Sequence, residues 1–294
     1  MPSLMSFPGL AGKVRVIMAS DLANPRLAGK NPNHGGPWLV ASVMRMLSAA
    51  RGAVPGLAPG KPNVEYVAMD GTLHVVPLAD AARVRLTDMQ PSRRFKARKG
   101  QRNLPGRWWS ATNARHVGYE SWLERDQVMW LDWDQAVTGI ASQPFRLRWT
   151  AKEGKTRSHV PDYFAERAGG PALVVDCRPE DRRGPRDLTA FEATHQACAM
   201  AGWEYRLAGA PDPVATANLR WLSGYRHPRC GIPAQAAALR AAFAAPVPLM
   251  DGAKAAGDPV AVLPVLYHLL WRQDLTADLS VPLHPATVIA LAAA

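Results

Sequence analysis

Two aspartates carry the first sign of chemistry in this sequence. Asp162 stands in H-V-P-D (His159–Asp162) and Asp176 in V-V-D-C-R-P (Val174–Pro179), each inside an apolar run of strand length. Strand alternation puts Val174, Asp176 and Arg178 on one face and Leu173, Val175 and Cys177 on the other. Asp176 and Arg178 are then neighbours, and Cys177 reads as a packed thiol pointing into the core. Pro161 removes a backbone donor beside Asp162, which suits a strand edge or a bulge next to a site. The turn A-G-G-P (Ala168–Pro171) can fold one run onto the other and bring both aspartates together. Converging carboxylates repel unless a cation lies between them, and hard oxygen donors suit Mg²⁺ or Mn²⁺. Such an ion lowers the pKa of a bound water and stabilises charge on a phosphodiester. The plainer alternative is that Asp176 and Arg178 form an ordinary strand-face ion pair and that Asp162 is a turn acid.

The elements around the pair must do the positioning. The run Tyr119–Asp134 predicts a helix with an apolar stripe of Tyr119, Trp122, Leu123, Val128, Met129 and Leu131. Glu120 and Glu124 are four apart and share a face of it, so either can add a carboxylate from behind the strands. Three strand runs follow, Pro144–Trp149, His159–Arg167 and Ala172–Pro179. In the first, Phe145, Leu147 and Trp149 alternate with Arg146 and Arg148. A helix over about residues 188–201 ends at Gly202, and Trp203–Gly209 reads as a last strand. The order from Tyr119 to Gly209 is α-β-β-β-α-β, an α/β core over residues 117–212. His159 is placed to touch phosphate or to orient a ligand, whereas His195 reads as polar surface.

Residues 1–62 are rich in Gly, Pro and Ala and read as a linker-like extension with one helix at Trp38–Arg51. Residues 63–116 form a small unit. Asp70-Gly71 between two alternating apolar runs signals a hairpin. The stretch Pro91–Arg115 then carries Arg93, Arg94, Lys96, Arg98, Lys99, Arg102, Arg107 and Arg115 with no acid among them. These arginines and lysines suit DNA-backbone contact. Phe95, Trp108 and Trp109 either stack beside them or pack onto the core. Residues 213–294 predict several helices, and the stripe Leu263, Leu266, Leu269, Leu270 reads as helix core. Tyr225–Arg229 either touches DNA or ends a helix before Pro228. The closing run Asp278–Leu291 suits a small wing or a short helix.

Composition agrees with a core of this size. Of 294 residues 48% are hydrophobic and 20% charged, and a net charge of +11 favours a polyanionic partner, nucleic acid first. Cys177, Cys198 and Cys230 fall in no C-x-x-C or Cys/His ligand pattern, which suits reduced thiols in a cytoplasmic protein. No signal peptide is expected, and Val288–Ala294 is too short to span a bilayer.

Taken together, S-W-L-E (Ser121–Glu124), S-Q-P (Ser142–Pro144), H-V-P-D and V-V-D-C-R-P resemble the TnsA-type endonuclease subunit of heteromeric transposases. That family belongs to the PD-(D/E)xK restriction-endonuclease-like superfamily. The resemblance covers about residues 117–210. It implies a mixed central sheet and a metal-dependent endonuclease that cuts one strand at each transposon end. It implies Glu124, Asp162 and Asp176 as metal carboxylates and the Cys177 carbonyl as a further ligand. Gln143 matches a positioning residue. Arg178 stands where the family usually has lysine, and arginine cannot act as a proton acceptor. The implied setting is the bacterial cytoplasm and nucleoid, with double-stranded DNA, a DDE-type transposase subunit and an ATPase regulator as partners. The regulator would meet a C-terminal winged-helix-like region. A repair or defence nuclease of the same superfamily, and a DNA-binding assembly subunit with a decayed site, are the alternatives.

Overall fold

The computed structural model of the chain describes residues 62–93, 104–151 and 153–293. The expected helix at Trp38–Arg51 and the basic residues Arg94, Lys96, Arg98, Lys99 and Arg102 lie outside the described residues. The described part is mixed α/β, with seven α-helices and four sheets.

Strands β1 (Asn63–Val67) and β2 (Leu73–Pro77) form the hairpin that Asp70-Gly71 signals. Gly71 takes φ 89°, a conformation that favours glycine, and the Asp70 carboxylate accepts the Thr72 N–H at 2.9 Å. A short helix α1 (Leu78–Ala81) follows. The basic stretch then ends not in a loop but in a second hairpin, β3 (Gly106–Ser110) and β4 (Arg115–Tyr119). Helix α2 (Trp122–Trp133) starts later than the sequence suggests, capped by Ser121. Tyr119 therefore lies in β4, Glu120 precedes the helix rather than sharing its face with Glu124, and Trp122 is 50% exposed.

Five strands follow where three were expected: β5 (Val137–Ser142), β6 (Arg146–Thr150), β7 (Thr156–His159), β8 (Tyr163–Arg167) and β9 (Leu173–Cys177). Helix α3 (Pro185–Ala201) then crosses to β10 (Glu204–Ala208), parallel to β9. The mixed sheet runs β10-β9-β8-β5. Its first strand is β5, not Pro144–Trp149, whose β6 joins β7 and the N-terminal hairpin in an antiparallel sheet ordered β2-β1-β6-β7. The run His159–Arg167 is thus two strands in two sheets, divided at Val160–Asp162. A proline there costs no ladder hydrogen bond.

The C-terminal part adds α4 (Pro213–Ser223), α5 (Pro233–Ala242), β11 (Val247–Pro248), α6 (Leu249–Ala256), α7 (Pro259–Trp271), β12 (Leu275–Thr276) and β13 (Val288–Leu291). Its three short strands pair antiparallel in the order β11-β13-β12, so the closing run is a strand rather than a helix. Alternation along β9 splits the interior in two. Leu173 and Val175 face a cluster shared with α2, the β3–β4 hairpin and the C-terminal helices. Val174 faces a second cluster with Phe164, α3 and the antiparallel sheet. Leu266, Leu269 and Leu270 are buried in the first cluster, as helix core.

Candidate active site

A cleft of ≈ 740 Å³ opens where the two sheets part. It is lined by Glu120, Glu124, His159, Asp162, Asp176, Cys177 and Arg178, with Arg93 and Arg146 among its other walls. Three elements deliver its carboxylates: the first turn of α2, the β7–β8 break, and the end of β9.

Glu124 is held in a reciprocal cap. Ser121 Oγ accepts the Glu124 N–H at 3.2 Å and donates to Glu124 Oε1 at 2.9 Å, while the Glu120 N–H donates to Oε2 at 2.7 Å. Burial raises the Glu124 pKa above the ordinary carboxylate value, and these hydrogen bonds act against the rise. Glu120 pairs at the rim with the Arg93 guanidinium, one bond of which measures 3.3 Å.

Asp162 lies half-buried at the β7–β8 break. Its Oδ2 accepts the Cys177 N–H at 2.7 Å, and its own N–H donates to the Val175 carbonyl at 3.1 Å. Burial, then the charges of Glu124 and Asp176, push its pKa well above the usual range. Asp176 is 1% exposed and has both oxygens engaged. Oδ1 lies 2.8 Å from His159 Nε2, and Oδ2 accepts the Tyr205 hydroxyl at 2.8 Å. His159 thus orients a carboxylate.

Cys177 packs against the larger core cluster with Leu173 and Val175, as strand alternation predicts, and it also borders the cleft. Burial followed by the nearby carboxylates pushes its thiol well up. Arg178 lies beyond the end of β9, where strand alternation no longer holds. Its Nε donates to the Arg182 carbonyl at 3.1 Å and its Nη2 meets Asp187 at 3.0 Å, so its guanidinium is committed on the rim and not to Asp176.

Gln143 lines no part of the cleft and works through the backbone. It takes φ 48°, a left-handed conformation uncommon for glutamine, and its N–H donates to the Asp162 carbonyl at 2.8 Å. Its carboxamide is buried with no hydrogen-bond partner among the described residues. Arg107 is exposed on β3 and Arg226 turns inward, its Nε donating to the Trp109 carbonyl at 2.8 Å and its guanidinium 4.1 Å from the Trp108 ring. Trp108 and Trp109 accordingly pack rather than stack in solvent, Trp109 against His227.

Two residues not singled out by the sequence complete the frame. Tyr205 reaches Asp176 because β10 lies beside β9, with Leu207 opposite Asp176. Tyr163 donates from its hydroxyl, at 3.2 Å each, to the carbonyls of Gly118 and Glu124, tying β8 to the start of α2. Only the strand pairing and helix docking reveal these roles; a lone tyrosine in an apolar run carries no such signal.

A divalent cation suits the donor set by type and charge, since Glu124 and Asp176 share the cleft with Asp162 and raise its proton affinity. Among the described residues no three His, Cys, Asp or Glu side chains are gathered about one point for a metal. The reason is visible in the bonds: Glu124 is turned to its own helix end, and Asp176 to His159 and Tyr205. No family model matches the chain, and no curated protein matches it significantly.

Proposed function

We propose that this protein is a divalent-metal-dependent DNA endonuclease that hydrolyses a phosphodiester at transposon ends, as the TnsA-like subunit of a heteromeric transposase. The mixed sheet flanked by α2 and α3 supports a restriction-endonuclease-like core. One observation carries the reading. Glu124, Asp162 and Asp176, the carboxylates of the matching motifs, come from three separate elements and line one cleft. Asp162 and Asp176, with Glu124 and the Cys177 carbonyl, would hold Mg²⁺ or Mn²⁺. Such an ion supplies charge neutralisation and a water of lowered pKa. The chain's own part is to fix the carboxylates: Cys177 N–H on Asp162, His159 and Tyr205 on Asp176, Ser121 on Glu124. The C-terminal helices with their three short strands are the part that would meet an ATPase regulator. A DDE-type transposase would cut and join the other strand.

The Arg178 geometry favours a second reading, a DNA-binding assembly subunit that no longer cleaves, because this guanidinium is held by Asp187 and the Arg182 carbonyl. A cleavage assay on transposon-end DNA with Mg²⁺ and the presumed partners separates the two. Nicking by wild type, reduced at least about 100-fold in Asp162→Ala with DNA affinity kept, is the expected result. Inert wild type with cutting restored in Arg178→Lys establishes the decayed site instead.

A further inference from the structure

Next to the carboxylate cleft lies a second hollow of ≈ 480 Å³, whose walls include Trp149, Thr156, Arg157, Arg186 and Thr189. Ser158, Asp187 and Ala190 line both, so the two form one continuous trough across β7 and the start of α3. Their charges are opposite. The cleft's wall carries five carboxylates, Glu120, Glu124, Asp162, Asp176 and the shared Asp187, against three arginines, Arg93, Arg146 and Arg178. The hollow presents Arg157 and Arg186, and the one carboxylate in its wall, Asp187, already pairs with Arg178.

The two arginines are placed to receive an anion. Arg157 pairs with Glu153, four residues back on the turn after β6, and both side chains are 41% exposed. A surface pair of this kind contributes little and yields readily to a better-matched phosphate. Arg186 is exposed and forms no ion pair among the described residues. Thr156 and Ser158 add hydroxyls along the same wall, while the Thr189 hydroxyl donates to the Pro185 carbonyl at 2.9 Å. An acidic centre flanked by a basic lane along one trough matches a chain of phosphates, in which the reacting ester lies over the carboxylates and its neighbours do not.

We infer that this hollow binds the phosphodiester backbone of a nucleic-acid strand continuing out of the cleft, with Arg157 and Arg186 as its contacts. The inference rests on the proposed nuclease reading, and it assigns DNA contact to β7 and α3 rather than to the basic arm alone.

Fluorescence anisotropy of a labelled duplex with the full chain in EDTA tests it across a salt series. Arg157→Ala/Arg186→Ala is expected to bind about 10-fold more weakly, with the slope of log K against log salt smaller by roughly 1.8. Arg157→Lys/Arg186→Lys keeps most of the slope. Wild-type affinity and slope in the double alanine variant overturn the inference while leaving the nuclease reading intact. Wild type that fails to bind DNA at any salt overturns both. A double alanine variant that binds DNA normally but loses thermal stabilisation by inorganic phosphate assigns the hollow to free phosphate and also overturns it.

Discussion

Asp162 resists ionisation in the folded chain because it is recessed and faces Glu124 and Asp176. The unfolded chain therefore loses this proton first as pH rises from about the ordinary value of 3.8. Through that window the folded state holds more protons, so stability falls with rising pH and levels off above the folded pKa. Asp162→Asn is expected to raise the melting temperature at neutral pH and to change it little below the ordinary carboxylate range. Mg²⁺ is expected to stabilise wild type and not the variant. Equal destabilisation of the variant at both pH values contradicts this account. At Asp176, Tyr205→Phe removes one of two donors to a buried carboxylate. A loss of about 2 kcal/mol is expected in denaturant titration, with DNA affinity unchanged. At this scale the sequence could bring Asp162 and Asp176 together through the A-G-G-P turn, and both line one cleft with Glu124; the choice of Glu124 over Glu120 came from the resemblance, not from a local signature. The sequence was silent on Tyr205, whose role depends on the parallel pairing of β9 and β10, and it misjudged Arg178, because alternation fails once the strand ends.

Among the elements, the β3–β4 hairpin was hidden by its own charge. G-R-W-W-S alternates as a strand does, but it follows a basic run and reads as part of an arm. What fixes it is Asp132, on the last turn of α2 and 6% exposed. Its Oδ2 accepts the Trp108 Nε1–H at 2.9 Å and the Ala111 N–H at 3.0 Å. Its Oδ1 accepts the Ser110 hydroxyl at 2.7 Å and the Thr112 N–H at 2.9 Å. Asp132→Ala leaves these donors unpaired and is expected to cost about 3 kcal/mol or more in chemical denaturation. Asp132→Asn is expected to recover part of that, since its amide can accept on one side only. The β1–β2 hairpin was legible because Asp70-Gly71 needs no tertiary partner. Strand β5 was not, since five of its six residues are buried and its sequence shows no alternation to read.

Across the whole molecule, the larger core cluster does not stop at residue 212, where the sequence suggested a boundary. Leu219, Leu222, Leu239, Leu266 and Ile289 share it with Val128, Leu131 and Tyr163. Arg220 reaches Asp126 on α2, and Arg226 lies against the two hairpin tryptophans. Calorimetry of the full chain is expected to give one transition for these parts, and a chain ended at residue 212 is expected to lose its sharp melting. Two separate transitions would show the halves to be independent. The division of His159–Arg167 between two sheets has a further consequence. His159 takes its register from Leu147 across β6–β7, whereas Asp162 takes its place from β8 and β9. Deleting one residue between β6 and β7 would slide β7 and turn its side chains over. Asp162 would keep its place from β8 and β9, but Asp176 would lose His159 and be left with the Tyr205 hydroxyl. The basic lane at Arg157 is therefore geared to one of the carboxylates, and re-aiming it for a different nucleic-acid path also resets how Asp176 is held.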